Sequence, residues 1–129
     1  MLSSIRKHNE KMVLSGEQRE CYNRSISDDL VMITGELSEE NLHDNLWSRF
    51  REGDIYTFIG RVLISVNPYK MLERKGKLIY CEDVARHYSK SVSAELSPHI
   101  FSIASEAYTH LQNYGKNQTI VVTGESGAG

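Results

Sequence analysis

Apolar and polar residues alternate with increasing regularity along the chain. Over residues 1–27, Ile5, Met12, Val13, Leu14, Cys21, Tyr22 and Ile26 fall at spacings that fit neither a helical face nor a strand. This stretch reads as a polar N-terminal extension, and its mixed charges read as a solvated tail rather than a binding arm. From Asp28 onward the pattern is ordered. Ser38 predicts the N-cap of a helix opening on Glu39 and Glu40, with Leu37 and Leu42 placed to close a hydrophobic staple. Its inward face is expected to be Leu42, Leu46 and Phe50, flanked by Trp47, and Gly53 supplies the stop.

Two short β-branched and aromatic runs follow, residues 55–60 (IYTFIG) and 62–66 (VLISV), ending at the Asn67-Pro68 breaker. They predict neighbouring strands, the second largely buried. After a basic stretch at Arg74, Lys75, Gly76 and Lys77, read as a solvated loop, a short helix is expected over residues 82–88. A longer one should be capped by Ser97, with Pro98 at its first position. Its stripe is Ile100, Ile103, Ala104, Ala107, Leu111 and Tyr114, it ends at Gly115, and it should lie flat on a sheet. Residues 119–123 (TIVVT) are apolar on both faces, as a central strand would be.

Composition narrows the class. The chain has 129 residues, 40% apolar and 25% charged, which is the balance of one soluble globular domain or a piece of a larger one. A formal net charge of −2 gives no general attraction to nucleic acid or anionic lipid. Cys21 and Cys81 match no zinc-ligand or disulfide-framework spacing, so no metal site is expected and a reduced, cytoplasmic setting is. No apolar run approaches the roughly 18 residues of a membrane span, and residues 1–27 lack the apolar core of a secretory signal. No internal repeat or low-complexity tract is present.

The chemistry is concentrated in residues 124–129, GESGAG, a G-x-x-x-x-G directly after the expected buried strand. In a P-loop, glycines allow unusual backbone angles and close approach, so that successive N–H groups cradle the α and β phosphates at the head of the next helix. Gly124, Glu125, Ser126, Gly127, Ala128 and Gly129 are therefore the phosphate-binding candidates, chiefly through their backbone. The bland alternative is an ordinary glycine turn. The lysine that would reach the β and γ phosphates, and the Ser or Thr that would hold Mg²⁺, should be the next two residues, so the chain reads as truncated within the loop. His43 and His99 read as helix-surface or capping residues without a catalytic partner. The basic cluster lacks the interleaved aromatics of a nucleic-acid site.

These blocks together resemble the start of a myosin motor head. Asp28-Asp29-Leu30 followed by SEENLHDNLWSRF, then IYTFIG, VLISVNPYK, SPHIFSIASEAY and QTIVVTGESGAG occur in that family's order, covering residues 28–129. GESGAG and VLISVNPYK carry the resemblance most specifically. It implies an α/β fold, an incomplete P-loop NTPase-type mixed sheet with flanking helices. It also implies that Asn67, Pro68, Tyr69 and Lys70 lie near adenine and ribose, with Tyr80 against the base. The segment MLERKGKL is longer than the family's usual link at this point, which bears on Tyr80. The alternative is that Asn-Pro merely ends a strand and Tyr80 is a core aromatic.

The resembling segment begins close to Met1, with too little sequence before it for the small β-barrel that opens many conventional myosin heavy chains, so an unconventional, class I-like type is expected. The resemblance further implies a parent that hydrolyses ATP with Mg²⁺ and couples this to actin filaments, with calmodulin-like light chains as partners and a cytoskeletal location. No catalytic residue is expected within these 129 residues, and the chain alone is expected to be inactive. A different P-loop NTPase and a non-catalytic interaction fragment are the alternatives; the former leaves SVNPYK and SPHIF unexplained.

Overall fold

The computed structural model describes residues 26–33, 38–74, 76–90 and 96–128. Three helices and four short strands are present among them: α1 (Glu39–Glu52), β1 (Tyr56–Ile59), β2 (Val62–Ser65), β3 (Glu73–Arg74), β4 (Lys77–Leu78), α2 (Glu82–Lys90) and α3 (Ile100–Tyr114), preceded by a 3₁₀ turn at Leu30–Met32. The sheets are two separate antiparallel pairs, β1–β2 and β3–β4. The expected combination of helices and strands is thus present, as a mixed helix/strand arrangement with small antiparallel ladders among the described residues.

Helix α1 begins and ends as its sequence dictates. The Ser38 hydroxyl accepts the Asn41 amide at 3.2 Å, and Gly53 closes the helix at φ +88°, donating its N–H to the last-turn carbonyls. Leu37 and its staple lie outside the described residues. The inward face differs from expectation: the buried positions are Asn45, Ser48 and Arg49, while Leu42, Leu46 and Phe50 are only half-buried. Polar residues lie inside because each has a partner there. Asn45 grips Ser27 in both directions, accepting its amide at 2.7 Å and donating to its carbonyl at 3.1 Å. Arg49 donates to Asp28, to the Thr57 hydroxyl at 3.0 Å and to the Tyr56 carbonyl at 3.0 Å.

The hairpin β1–β2 pairs Tyr56 with Ser65 and Ile59 with Val62. On its other edge β1 meets the Asp28–Asp29 segment: the Phe58 amide donates to the Asp28 carbonyl at 2.8 Å, with a parallel bridge to Asp29. Flanked on both sides, β1 carries the core, with Ile55, Tyr56 and Thr57 buried, and Leu30 packs there with no exposure. The burial expected of β2 belongs instead to β1. Val62 and Ser65 are exposed, because among the described residues β2 pairs with β1 alone.

The basic stretch forms the β3–β4 ladder, exposed throughout, with Gly76 at φ +72° in the turn. Two of its cations are paired, Arg74 with Asp54 at 3.1 Å and Lys77 with Asp83 at 2.5 Å.

Helix α3 starts two residues later than predicted. His99, not Ser97, is its cap: Nδ1 accepts the Phe101 amide at 3.1 Å, and Pro98 precedes the helix instead of opening it. Gly115 ends the helix at φ +62°. It packs against α2, not on a sheet. The Ser105 hydroxyl donates to the Tyr88 carbonyl at 3.1 Å, and Tyr88, His99 and Phe101 form an aromatic junction between the two helices. Residues 119–123 are not paired as a strand. They run without a ladder, and Val121 and Val122 are 81% and 87% exposed, since no strand among the described residues pairs with them.

Candidate functional site

Two of the sequence-predicted segments meet. The Tyr69 hydroxyl donates to the carbonyl of Gly127 at 3.3 Å, joining positions 58 residues apart. The turn that presents Tyr69 is built locally. Pro68 confines Asn67 to extended backbone, and the Asn67 side-chain oxygen accepts the Tyr69 amide at 2.8 Å. That hydrogen bond holds Tyr69 at φ +51°, the one non-glycine residue with positive φ among those described. Lys70 follows, exposed. The hairpin delivering this turn is anchored at its base, where the Val66 amide donates to the Ile55 carbonyl at 2.9 Å, next to the Arg49 network.

The glycine segment is a solvent-exposed turn. The Ala128 amide donates to the Glu125 carbonyl at 3.0 Å, with Ser126 and Gly127 between them. Gly127 has φ +86°, and an added Cβ would meet nothing within 4 Å, so glycine is required there by backbone angle and not by crowding. At Gly124 an added Cβ would sit 3.6 Å from the Ala128 Cβ, which is ordinary contact. Gly129 lies outside the described residues.

Tyr80 is placed elsewhere. Its hydroxyl is 2.8 Å from that of Tyr56, and its ring meets His99 at 5.8 Å and Phe101 at 6.4 Å between centroids. None of these is a nucleotide-site candidate. Burial pushes the Tyr56 phenol up, and its hydrogen bond to Tyr80 adds to the shift. At the centre of this group His99 is buried, with Nε2 3.1 Å from the Ile79 carbonyl. Burial holds its ring below the usual histidine range, while the Ile79 contact acts in the opposite sense. A cavity of about 200 Å³ beside it is lined by Arg49, Asp54, Tyr56, Arg74, Tyr88 and His99 among others. Among its lining side chains Arg49, Asp54, Arg74, Tyr88 and His99 are already engaged with one another, with the Thr57 hydroxyl or with backbone.

The glycine turn fits phosphate oxygens as ligands. The amides of Glu125, Ser126 and Gly127 have no partner among the described residues, and glycine backbone offers close approach. Among the described residues no group of three or more His, Cys, Asp or Glu gathers to hold a metal ion. No helix of the described residues is long and apolar enough to cross a membrane.

Sequence reasoning missed Arg49 and undervalued His99. The signal for Arg49 was its place in the i, i+3, i+4 set with Asn45 and Ser48, and for His99 its position directly before an apolar helical run.

Comparison with known proteins agrees with the order of these blocks. The family described as myosin head (motor domain) matches residues 27–129. The chain is 50% identical over 102 residues to myosin IA heavy chain of Dictyostelium discoideum, covering 79% of this chain and 10% of that protein. It is 44% identical over 102 residues to Myosin-1 of Schizosaccharomyces pombe, covering 79% and 8%. It is 42% identical over 115 residues to Myosin-1 of Yarrowia lipolytica, covering 89% and 9%. The chain thus spans about a tenth of the length of these curated relatives. With residues 27–129 matched by the family model and these relatives 42% to 50% identical over 79% or more of the chain, the chain belongs to the myosin head (motor domain) family and is class I-like.

Proposed function

We propose that this chain supplies the base-side turn and part of the phosphate loop of an ATP-driven, actin-based motor. In this reading Asn67, Pro68, Tyr69 and Lys70 border adenine and ribose, and the backbone of residues 124–129 faces the phosphates. Mg²⁺ supplies charge neutralisation at the β and γ phosphates when bound. The chain's own contribution is to position donors, because phosphoryl transfer depends on orientation and electrostatic stabilisation more than on covalent chemistry. The observation that carries the reading is the Tyr69–Gly127 hydrogen bond, which draws the two family motifs together across 58 residues. Tyr80 enters the proposal more weakly, since its hydroxyl is engaged with Tyr56.

The whole protein is proposed to hydrolyse ATP with Mg²⁺, to bind actin filaments, to carry calmodulin-like light chains and to work in the actin-rich cytoplasm. Residues 1–129 alone are proposed to be inactive. They contain neither the lysine nor the hydroxyl that follow GESGAG in the family pattern, and loss of one such charge-stabilising group costs about 10² to 10³ in rate. The test is ATP turnover by the full-length protein in Mg²⁺, with and without actin filaments. Turnover that rises with actin supports the reading. Absence of turnover under both conditions overturns it.

A further inference from the structure

We infer that Tyr69 is a positioning residue that acts on the phosphates through the glycine loop, its hydroxyl setting where the Gly127 peptide lies. The inference rests on the nucleotide-site reading above and deepens it: it assigns the hydroxyl to the phosphate side of the site and leaves only the ring for the base.

Three observations converge on this role. The hydroxyl is spent on the Gly127 carbonyl at 3.3 Å, so that oxygen is directed at the loop. A peptide is planar, so holding the Gly127 carbonyl also fixes the plane of the N–H of Ala128, the next donor in the loop. That amide closes the turn on the Glu125 carbonyl at 3.0 Å, so the contact from Tyr69 bears on the peptide that closes the loop. Finally, Tyr69 holds an unfavourable backbone angle, φ +51°, which costs about 1 kcal/mol or more for a residue with a Cβ. The Asn67 side chain sustains it through the 2.8 Å bond to the Tyr69 amide. The ring is 82% exposed, so apolar burial does not account for the conformation. Gly127 itself has open space around it and a φ few other residues adopt, so nothing packed against it holds this peptide, and the Tyr69 contact on its carbonyl adds to the Ala128–Glu125 bond on its N–H.

The experiment uses the full-length protein and three probes: ATP, ADP and inorganic pyrophosphate, the last carrying phosphates without a base. Tyr69→Phe keeps the ring and removes the hydroxyl. It is expected to weaken pyrophosphate, ADP and ATP by the same factor, about threefold to tenfold, as loss of one hydrogen bond gives. Tyr69→Ala is expected to weaken ADP and ATP further, while pyrophosphate stays at the level of the Phe variant. Tyr108→Phe, on the exposed face of α3, is the control and should match wild type for all three probes. If Tyr69→Phe binds pyrophosphate as wild type does, the inference is overturned, and the nucleotide-site reading survives provided wild type binds ATP. If wild type binds neither ATP nor pyrophosphate, that reading fails first and takes the inference with it.

Discussion

Arg49 donates from Nε to the Thr57 hydroxyl at 3.0 Å with its side chain only 6% exposed, so helix α1 is joined to strand β1 by a buried cation and not by an apolar seam. The same guanidinium reaches the Tyr56 carbonyl at 3.0 Å and Asp28. Removing it strands a buried hydroxyl and a buried carbonyl together, each costing about 1–3 kcal/mol when left unsatisfied. Asp28 is 59% exposed, and water compensates for its loss. Arg49→Ala is therefore expected to raise hydrogen exchange of the β1 amides by at least tenfold, and Asp28→Asn by much less. Equal effects from the two would show that the guanidinium is not the centre of the network.

The difference between Ser38 and Arg49 marks what the sequence discloses. A cap is a contract between residues three apart, and Ser38 to Asn41 was readable for that reason, as was Gly53 at the helix end. Helical spacing groups Arg49 with Asn45 and Ser48, but its partners Asp28, 21 positions earlier, and Thr57, eight later, lie off the helix and are not recorded in that spacing. Apolar character on both faces of residues 119–123 predicts a central strand, but a ladder needs neighbours, and the described residues place none there. In the site, the Asn67-Pro68 turn and Gly127 were each legible from local backbone chemistry. Their meeting through the Tyr69 hydroxyl was not, because it depends on how the hairpin and the far end of the chain are set in space.

Gly53 tests the backbone argument separately from sterics. Its φ is +88° and an added Cβ would meet nothing within 4 Å, so any cost of substitution is conformational. Gly53→Ala is expected to destabilise α1 by about 1–2 kcal/mol, whereas Gly53→Asn, which tolerates the left-handed region, should cost about half as much. Hydrogen exchange in the last turn of α1 reads both. Alanine and asparagine behaving alike would locate the cost elsewhere.

Residues 119–123 predict self-association. Ile120, Val121 and Val122 are 50%, 81% and 87% exposed in a β-branched run without charge, a pattern that templates strand pairing between chains. The 129-residue chain is expected to aggregate at micromolar concentration by light scattering and to lack a cooperative thermal transition as a soluble monomer. Val121→Lys with Val122→Thr should lower the scattering severalfold. A monomeric wild-type chain that unfolds cooperatively would contradict this.

His99 carries a pH dependence whose direction follows from its bonds. The Phe101 amide is necessarily the donor to Nδ1 at 3.1 Å, so the ring proton sits on Nε2 and is given to the Ile79 carbonyl at 3.1 Å. A second proton would turn the capping acceptor into a donor facing the Phe101 amide. Burial already holds the ring below its ordinary range. The folded chain therefore binds this proton at lower pH than the unfolded chain, whose histidine titrates near about 6.5. Stability from this group is complete above that value, declines as pH falls toward the folded value, and is fully lost below it. The aromatic neighbours Tyr56, Tyr80, Tyr88 and Phe101 contribute no charge, and the charged residues lining the adjoining cavity are paired: Arg49 with Asp28, Arg74 with Asp54, Lys77 with Asp83. Ring-nitrogen NMR of the histidine-labelled chain should find His99 as the Nε2–H tautomer, with a titration midpoint below that of the unfolded chain's histidine. His99→Asn, which retains a capping acceptor, should flatten the pH dependence and cost about 1 kcal/mol for the Ile79 contact. A titration midpoint at or above the unfolded value, or a proton found on Nδ1, would remove the basis for this pH dependence.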